Sequence, residues 1–257
     1  MIDEIISDVR KEVEVRKREV PVNDLPARKS GMRSLSEAIL RSRFIPIIAE
    51  IKPRSPSEGL LRKPLDVRAL AKDYEAGGAV AISVLTEPKY FGGSLDSLVE
   101  VKSEVDLPVL RKDFIVDEYQ IHESAAYGAD SILLISSCAG DKLSDFLALT
   151  KDLGLEAIVE CRSAQDVKLA VDAGAKIIGV NNRDLHTLKI DLGVTKRLAG
   201  YVPSDTILIS ESGIRTAEDI RFLMGAGANA VLIGTVLMRS KVPGEMLQKF
   251  VQAVEIW

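Results

Sequence analysis

Eight short apolar runs recur along the chain at near-regular intervals, and this spacing restricts the fold more than any other feature. They read IPIIAEI (45–51), AVAISVLT (79–86), LPVLRKD (107–113), DSILLIS (130–136), EAIVEC (156–161), KIIGVNN (176–182), TILISES (206–212) and NAVLIGT (229–235). Each is rich in Val and Ile and apolar on consecutive positions. That is the pattern of a parallel strand covered on both faces.

Between the runs lie amphipathic segments of helical length, such as LDVRALAKDYEAGG (65–78), DEYQIHESAAYGAD (117–130), SAQDVKLAVDAGA (163–175) and TAEDIRFLMGAGA (216–228). Several end in Gly-Ala or Gly-Gly just before the next strand, where a left-handed glycine closes a helix. Asp141 and Ser163 stand where N-caps are expected. Strand–helix alternation implies a parallel sheet. Eight units within 45–257 predict one α/β domain, a closed (β/α)8 barrel of the TIM type. The competing architecture is a doubly wound open sheet. It is disfavoured because no strand–GxGxxG–helix unit opens the chain.

Residues 1–44 precede the first strand and form an N-terminal helical extension. A charged helix is expected over about 2–18, then a Pro-containing linker, then a short helix near 34–42. The sequence alone gives this extension no function.

Formal net charge is −4, which gives no electrostatic footprint for nucleic acid or an anionic membrane. No apolar run approaches the length of a membrane span, and the N-terminus lacks the apolar core of a secretory signal. Two cysteines, Cys138 and Cys161, are too few for a disulfide framework and read as small apolar residues in a reducing compartment. The expected location is the cytoplasm. The assembly state is open, with a monomer as the working expectation.

In such a barrel the chemistry sits at the C-terminal ends of the strands. Charge concentrates there. Glu50 and Lys52 end the first strand on one face, Lys112-Asp113 the third, Glu160 the fifth, Asn181-Asn182-Arg183-Asp184 the sixth, Glu211-Ser212-Gly213 the seventh and Gly234-Thr235 the eighth. The N-terminal halves carry almost no charge. Ionic groups at a strand end cost desolvation energy unless paired or used. Five charged ends together on one rim indicate use.

ESGI (211–214) and IGT (233–235) place glycines after adjacent strands, and TVLMRS (235–240) after Gly234 reads as a short extra helix. Barrel phosphate sites often combine these elements, since glycine lets backbone N–H groups approach an anion. A phosphorylated small-molecule substrate is therefore expected. His122 and His186 have no second ligand at metal spacing and no dinucleotide fingerprint is present, so no metal and no cofactor is expected.

These segments resemble the indole-3-glycerol phosphate synthase family. The likeness runs through IIAEIKPRSPSEG (47–59), SVLTEPKYFGGS (83–94), VLRKDFIVDEYQI (109–121), GADSILLI (128–135), IVECRS (158–163), IGVNNRDL (178–185), ISESGI (209–214) and VLIGTVLMR (231–239). The resemblance implies a decarboxylating, dehydrating ring closure of 1-(2-carboxyphenylamino)-1-deoxyribulose 5-phosphate to indole-3-glycerol phosphate, in tryptophan biosynthesis. It implies Lys112 as general acid at the sugar ketone and Glu160 for the later proton transfers, with Lys52 sharing acid or base work. Glu50, Asn181 and Glu211 would complete the polar network. Lys52, Ser212, Gly213, Gly234 and Thr235 would hold phosphate. Ser55 and Arg183 would meet polar groups of the substrate, Ser55 its carboxylate. Phe91, Phe114, Leu133 and Leu185 would form the slot for the aromatic ring.

A lysine acts as an acid near neutral pH when its pKa falls, through burial or a cationic neighbour. Lys52 or Arg183 could be that neighbour for Lys112; Glu50, Glu160 and Glu211 would oppose it. FGGS (91–94) reads either as a closing loop or as an ordinary turn. A phosphate-binding isomerase, a Schiff-base aldolase on Lys112 or Lys52, and a non-catalytic binding barrel are the other readings of the same residues.

Overall fold

The computed structural model describes residues 2–28, 31–184 and 186–253. The eight apolar runs form strands β1 (Ile47–Ile51), β2 (Ala81–Leu85), β3 (Val109–Lys112), β4 (Ser131–Ile135), β5 (Glu156–Cys161), β6 (Ile177–Asn181), β7 (Ile207–Glu211) and β8 (Ala230–Ile233). Each pairs in parallel with its neighbours, and β8 pairs with β1 to close the barrel. A small antiparallel ribbon, Arg54–Ser55 against Gly59–Leu60, decorates the loop after β1.

The extension folds into α1 (Ile2–Glu19) and α2 (Leu35–Leu40). Around the barrel follow α3 (Val67–Ala76), α4 (Leu95–Glu104), α5 (Glu118–Ala126), α6 (Ser136–Ala139), α7 (Leu143–Asp152), α8 (Ala164–Asp172), α9 (Gly193–Ala199) and α10 (Ala217–Gly225). The short helix expected after Gly234 is α11 (Thr235–Arg239), and α12 (Pro243–Val251) completes the ring. Among the described residues no helix is long and apolar enough to cross a membrane.

Local signals explain most boundaries. Ser94, Ser163 and Thr216 accept backbone N–H bonds three residues on, and the last two complete capping boxes with Asp166 and Asp219. The helix-ending glycines 128 and 227 take φ of 87° and 104°, which lets the chain turn straight into the next strand. Asp141 is a correction. It lies inside a 3-10 turn, Gly140–Lys142, and the N-cap of α7 is Lys142, with no side-chain cap. The turn absorbs the aspartate before the helix starts.

The two-residue alternation of the strands sorts the core. Ile48, Leu110, Leu133, Ile158, Ile209 and Leu232 fill the barrel interior, whereas Ile47, Val84, Leu134, Val159, Val180 and Val231 pack outward against the helices. The interior cluster continues into both parts of the extension: Ile2, Ile5, Val9 and Val13 of α1, and Leu35 and Ile39 of α2. The extension therefore covers the barrel at both ends.

At the N-terminal end, charge is present where almost none was expected. Asp130, fully buried just before β4, takes Lys102 Nζ at 2.6 Å, Arg28 Nη2 at 3.2 Å and the backbone N–H groups of Arg33 and Val109. Glu156, the first residue of β5, accepts N–H bonds from Leu35 and Ser36 at the start of α2. These two carboxylates bind the linker and α2 to the bottom of the barrel. A sequence pattern cannot distinguish such a lock from an ordinary solvated strand start.

Candidate active site

Continuing the alternation by two residues carries each strand from core to mouth. Ile48 leads to Glu50, Leu110 to Lys112, Ile158 to Glu160, Gly179 to Asn181 and Ile209 to Glu211. The inward parity that buries an aliphatic row also gathers these polar groups.

They meet. Lys112 Nζ lies 3.2 Å from Glu211 Oε2 and 3.5 Å from Glu160 Oε2. Asn181 Nδ2 donates to Glu160 Oε1 at 3.0 Å, and Asn181 Oδ1 accepts the Arg183 N–H at 2.9 Å. Lys52 Nζ contacts Glu50 Oε2 at 2.5 Å. Glu50, Glu160, Asn181 and Glu211 are all buried.

Two glycines make room for two of the carboxylates. A side chain on Gly179 would run into Glu211 Oε1, and one on Gly234 into Glu50 Oε2. Gly234 therefore seats a carboxylate as well as opening α11.

Three buried carboxylates and two largely buried ammonium groups converge. Burial, together with Glu160 and Glu50 and against the pull of Lys112, raises the Glu211 carboxyl to a pKa of about 7. For Lys112, burial acts downward, but the carboxylates of Glu211, Glu160 and Glu50 outweigh it and hold the ammonium above its ordinary range. Of the two opposing influences left open by the sequence, the carboxylates prevail. Lys52 bonds to Glu50 and Arg183 lies beside Glu58, so the close partners of Lys112 are carboxylates.

A cavity of roughly 530 Å3 opens above this network. Lys52, Ser55, Phe91, Lys112, Phe114, Leu133, Glu160, Asn181, Arg183, Ser212, Gly213, Gly234 and Thr235 all line it, as does Glu50. Glu211 does not; it lies behind Lys112, within reach of its ammonium. Leu185 lies outside the described residues.

The lining divides by chemistry. Phe91 and Phe114, with ring centroids 6.0 Å apart and planes tilted by 43°, form an apolar slot with Leu133. Ser212, Gly213, Gly234 and Thr235 form a niche of backbone and small side chains, with Lys52 on the same cavity. Gly213 has φ of 89° and packs against Ile190, whose side chain would collide with any Cβ there. Ser212 takes φ of 68°, a strained conformation for a non-glycine residue, held in part by Asn182 Nδ2 on its carbonyl. The other rim residues of β6 face elsewhere. Asn182 is buried against Ser210 and Thr195, and Asp184 pairs with Arg162.

FGGS is a fixed turn. Glu87 accepts the N–H groups of Lys89, Tyr90 and Phe91, and Gly93 packs directly on the Leu85 carbonyl. That packing leaves no room for a side chain at Gly93. His122 is half-buried on α5 and His186 exposed in a turn. Among the described residues no group of three His, Cys, Asp or Glu could hold a metal.

Several lining residues carried no readable signal. Ile2 and Ile5 of α1 form a roof. Glu58 reaches Arg239 at 2.7 Å and Arg183 at 3.9 Å, linking the β1, β6 and β8 loops across the mouth. Its only sequence clue was its place in the segment SPSEG after β1.

The family model described as indole-3-glycerol phosphate synthase matches residues 2–250. A protein named indole-3-glycerol phosphate synthase from Thermoanaerobacter sp. strain X514 is 47% identical over 240 residues, covering 93% of this chain and 92% of its own. One of the same name from Methanocaldococcus jannaschii is 43% identical, covering 98% of each chain. Among solved structures, thiamine phosphate pyrophosphorylase from Pyrococcus furiosus superposes with a TM-score of 0.60 at 14% identity, over 82% of this chain and 95% of that one. That likeness concerns the fold alone.

Proposed function

The chain belongs to the indole-3-glycerol phosphate synthase family, carboxy-lyases of tryptophan biosynthesis, and from that premise we propose how its cavity closes the indole ring. The substrate is 1-(2-carboxyphenylamino)-1-deoxyribulose 5-phosphate. Its aromatic ring lies in the slot of Phe91, Phe114 and Leu133, where an apolar face meets few polar groups. Its phosphate takes the niche of Ser212, Gly213, Gly234 and Thr235, with Lys52 supplying positive charge. Ser55 and Arg183 meet the carboxylate and the sugar hydroxyls.

The ring carbon bearing the carboxylate attacks the sugar ketone, and one carbon–carbon bond forms. Lys112 gives its proton to the ketone oxygen, which leaves that oxygen as a hydroxyl. The carboxylate then departs as carbon dioxide and its bonding electrons restore the aromatic ring. Loss of the hydroxyl as water needs a proton delivered to oxygen and one removed from the methylene carbon beside nitrogen, whose C–H electrons form the new ring double bond. Glu160, 3.5 Å from Lys112, exchanges these protons with the lysine. Glu50, Asn181 and Glu211 hold the two groups in register.

A raised Lys112 pKa suits this order. The lysine stays charged until the ketone oxygen gathers negative charge, and its ammonium stabilises that charge as it develops. A Schiff base would need a neutral Lys112, which the surrounding carboxylates oppose. In the same reading residues 1–44 and 45–257 act as one unit in the cytoplasm, since α1 supplies the cavity roof and both cysteines are free.

The observation that carries this reading is Lys112 between Glu160 and Glu211, beside an aromatic slot and above a glycine niche in one cavity. Incubation with the carboxyphenylamino-deoxyribulose phosphate should yield indole-3-glycerol phosphate fluorescence and one carbon dioxide per substrate. Substrate consumed to another product, or not consumed, overturns it.

A further inference from the structure

The two-residue alternation of β3 sends Leu110 into the barrel and Lys112 into the mouth, and sends Arg111 the other way, under α5. There it is completely buried and does not line the cavity. Its guanidinium reaches five acceptors. Nε donates to Thr86 Oγ1 at 3.1 Å, Nη1 donates to the Gln120 carbonyl and to Ser124 Oγ at 3.1 Å each, and Nη2 donates to Asp113 Oδ2 at 2.9 Å. Nη2 also lies 2.8 Å from Glu123 Oε2, whose other oxygen pairs with Arg16 of α1 at 3.3 Å.

Burying such a cluster stabilises a fold poorly. Desolvation of the charges consumes most of what pairing returns, and apolar residues of similar volume do as well or better. The partners suggest another use. Thr86 donates its backbone N–H to the Lys112 carbonyl, and its hydroxyl donates to Asp113 Oδ2 at 2.6 Å. Asp113 Oδ1 accepts the Phe114 N–H at 2.8 Å. Gln120, whose carbonyl takes Arg111, donates from its own side chain to the Phe114 carbonyl at 2.9 Å. The Lys112 carbonyl and both backbone groups of Phe114 are held from behind by residues that the one guanidinium gathers. Through Glu123 and Arg16 the same group ties down α1, whose Ile2 and Ile5 roof the cavity.

We infer that Arg111 is a positioning residue for the ring closure: from behind the barrel wall it sets Lys112 against Glu160 and Glu211 and holds Phe114 as the wall of the aromatic slot. This rests on Lys112 being the acid. A planar fork with five donors can do it, and a lysine at the same place cannot. Small displacements of an acid relative to its substrate cost large factors in rate.

The test uses the full chain with two substitutions: Arg111→Lys, which keeps a cation beside Asp113 and Glu123, and the pair Arg111→Met with Glu123→Gln, which removes both halves of that ion pair. Each is assayed for kcat and KM with the carboxyphenylamino-deoxyribulose phosphate, alongside thermal unfolding and a Lys112→Ala control. Both should fold and lose at least about tenfold in kcat, with a smaller rise in KM from the loosened Phe114 wall, a split expected when transition-state alignment is lost more than ground-state binding. Parental kcat in either folded variant overturns the inference. So does failure of both to fold, which would make Arg111 a fold determinant. Parental turnover in Lys112→Ala would instead remove the acid assignment itself, whatever the Arg111 variants did.

Discussion

The carboxylate of Glu211 occupies the space that a side chain on Gly179 would fill. The two residues sit on adjacent strands, β7 and β6, and the missing Cβ lets Glu211 reach Lys112. Gly179→Ala should therefore push Glu211 away from the lysine. Overpacking of this kind costs about 1–3 kcal/mol. Unfolding should show that loss and kcat should fall with it. An alanine variant with parental stability and turnover would contradict the account.

Glu160 touches both Lys112 and Asn181 and faces the cavity. Glu160→Ala should leave the fold intact and reduce kcat by about 100-fold or more, the usual scale for a lost acid–base group. Circular dichroism and steady-state fluorescence assays check both halves.

Glu211 predicts a pH dependence of stability. Burial holds its proton up to about pH 7, against 4.5 for the group in water. Between those values an unfolded chain releases the proton while the folded chain keeps it. The contribution is therefore fully present below about 4.5 and lost as pH rises through about 7. Glu211→Gln, neutral throughout, should gain stability relative to the parent as pH rises through that window. Denaturant unfolding across the window measures the difference. A difference that does not change with pH would contradict the raised value.

Asp130 and Lys102 make the opposite prediction, at the other end of the barrel. Their 2.6 Å pair is buried on both sides. Asp130→Ala strands the lysine, and breaking a buried pair costs about 3–5 kcal/mol. The variant should unfold at much lower denaturant, yet show parental kcat and KM where it is still folded. A loss of kcat without loss of stability would show that the two ends are not separate in role.

The proposed phosphate niche predicts where an anion binds. Crystals grown with inorganic phosphate should show it between Gly213 and Gly234, near Lys52. Ordered phosphate elsewhere in the cavity, with that niche empty, would contradict the assignment.

The barrel and its rim were legible because period-two alternation is local. Once Ile48 is inside, Glu50 must be too, and the same holds for Leu110 with Lys112 and Ile209 with Glu211. What was not legible depends on distances between strands. Gly179 looks like any strand glycine until Glu211 is seen against it. The direction of the Lys112 shift depends on three carboxylates being nearer than Lys52 or Arg183, and no spacing encodes that. The roof role of Ile2 and Ile5 depends on where α1 docks, since an apolar stripe shows that a helix packs and not on what. Asp141 was misread because a 3-10 turn and a helix start share the same residues.

The central claim is that Lys112 supplies the proton for ring closure from within the Glu160–Glu211 pair. The most direct measurement is the rate of indole-3-glycerol phosphate formation by purified Lys112→Ala at saturating substrate, beside the parent. The account predicts a folded protein whose rate is at least about 100-fold lower, since its acid is gone. A folded variant forming product at a rate near the parent's would contradict it.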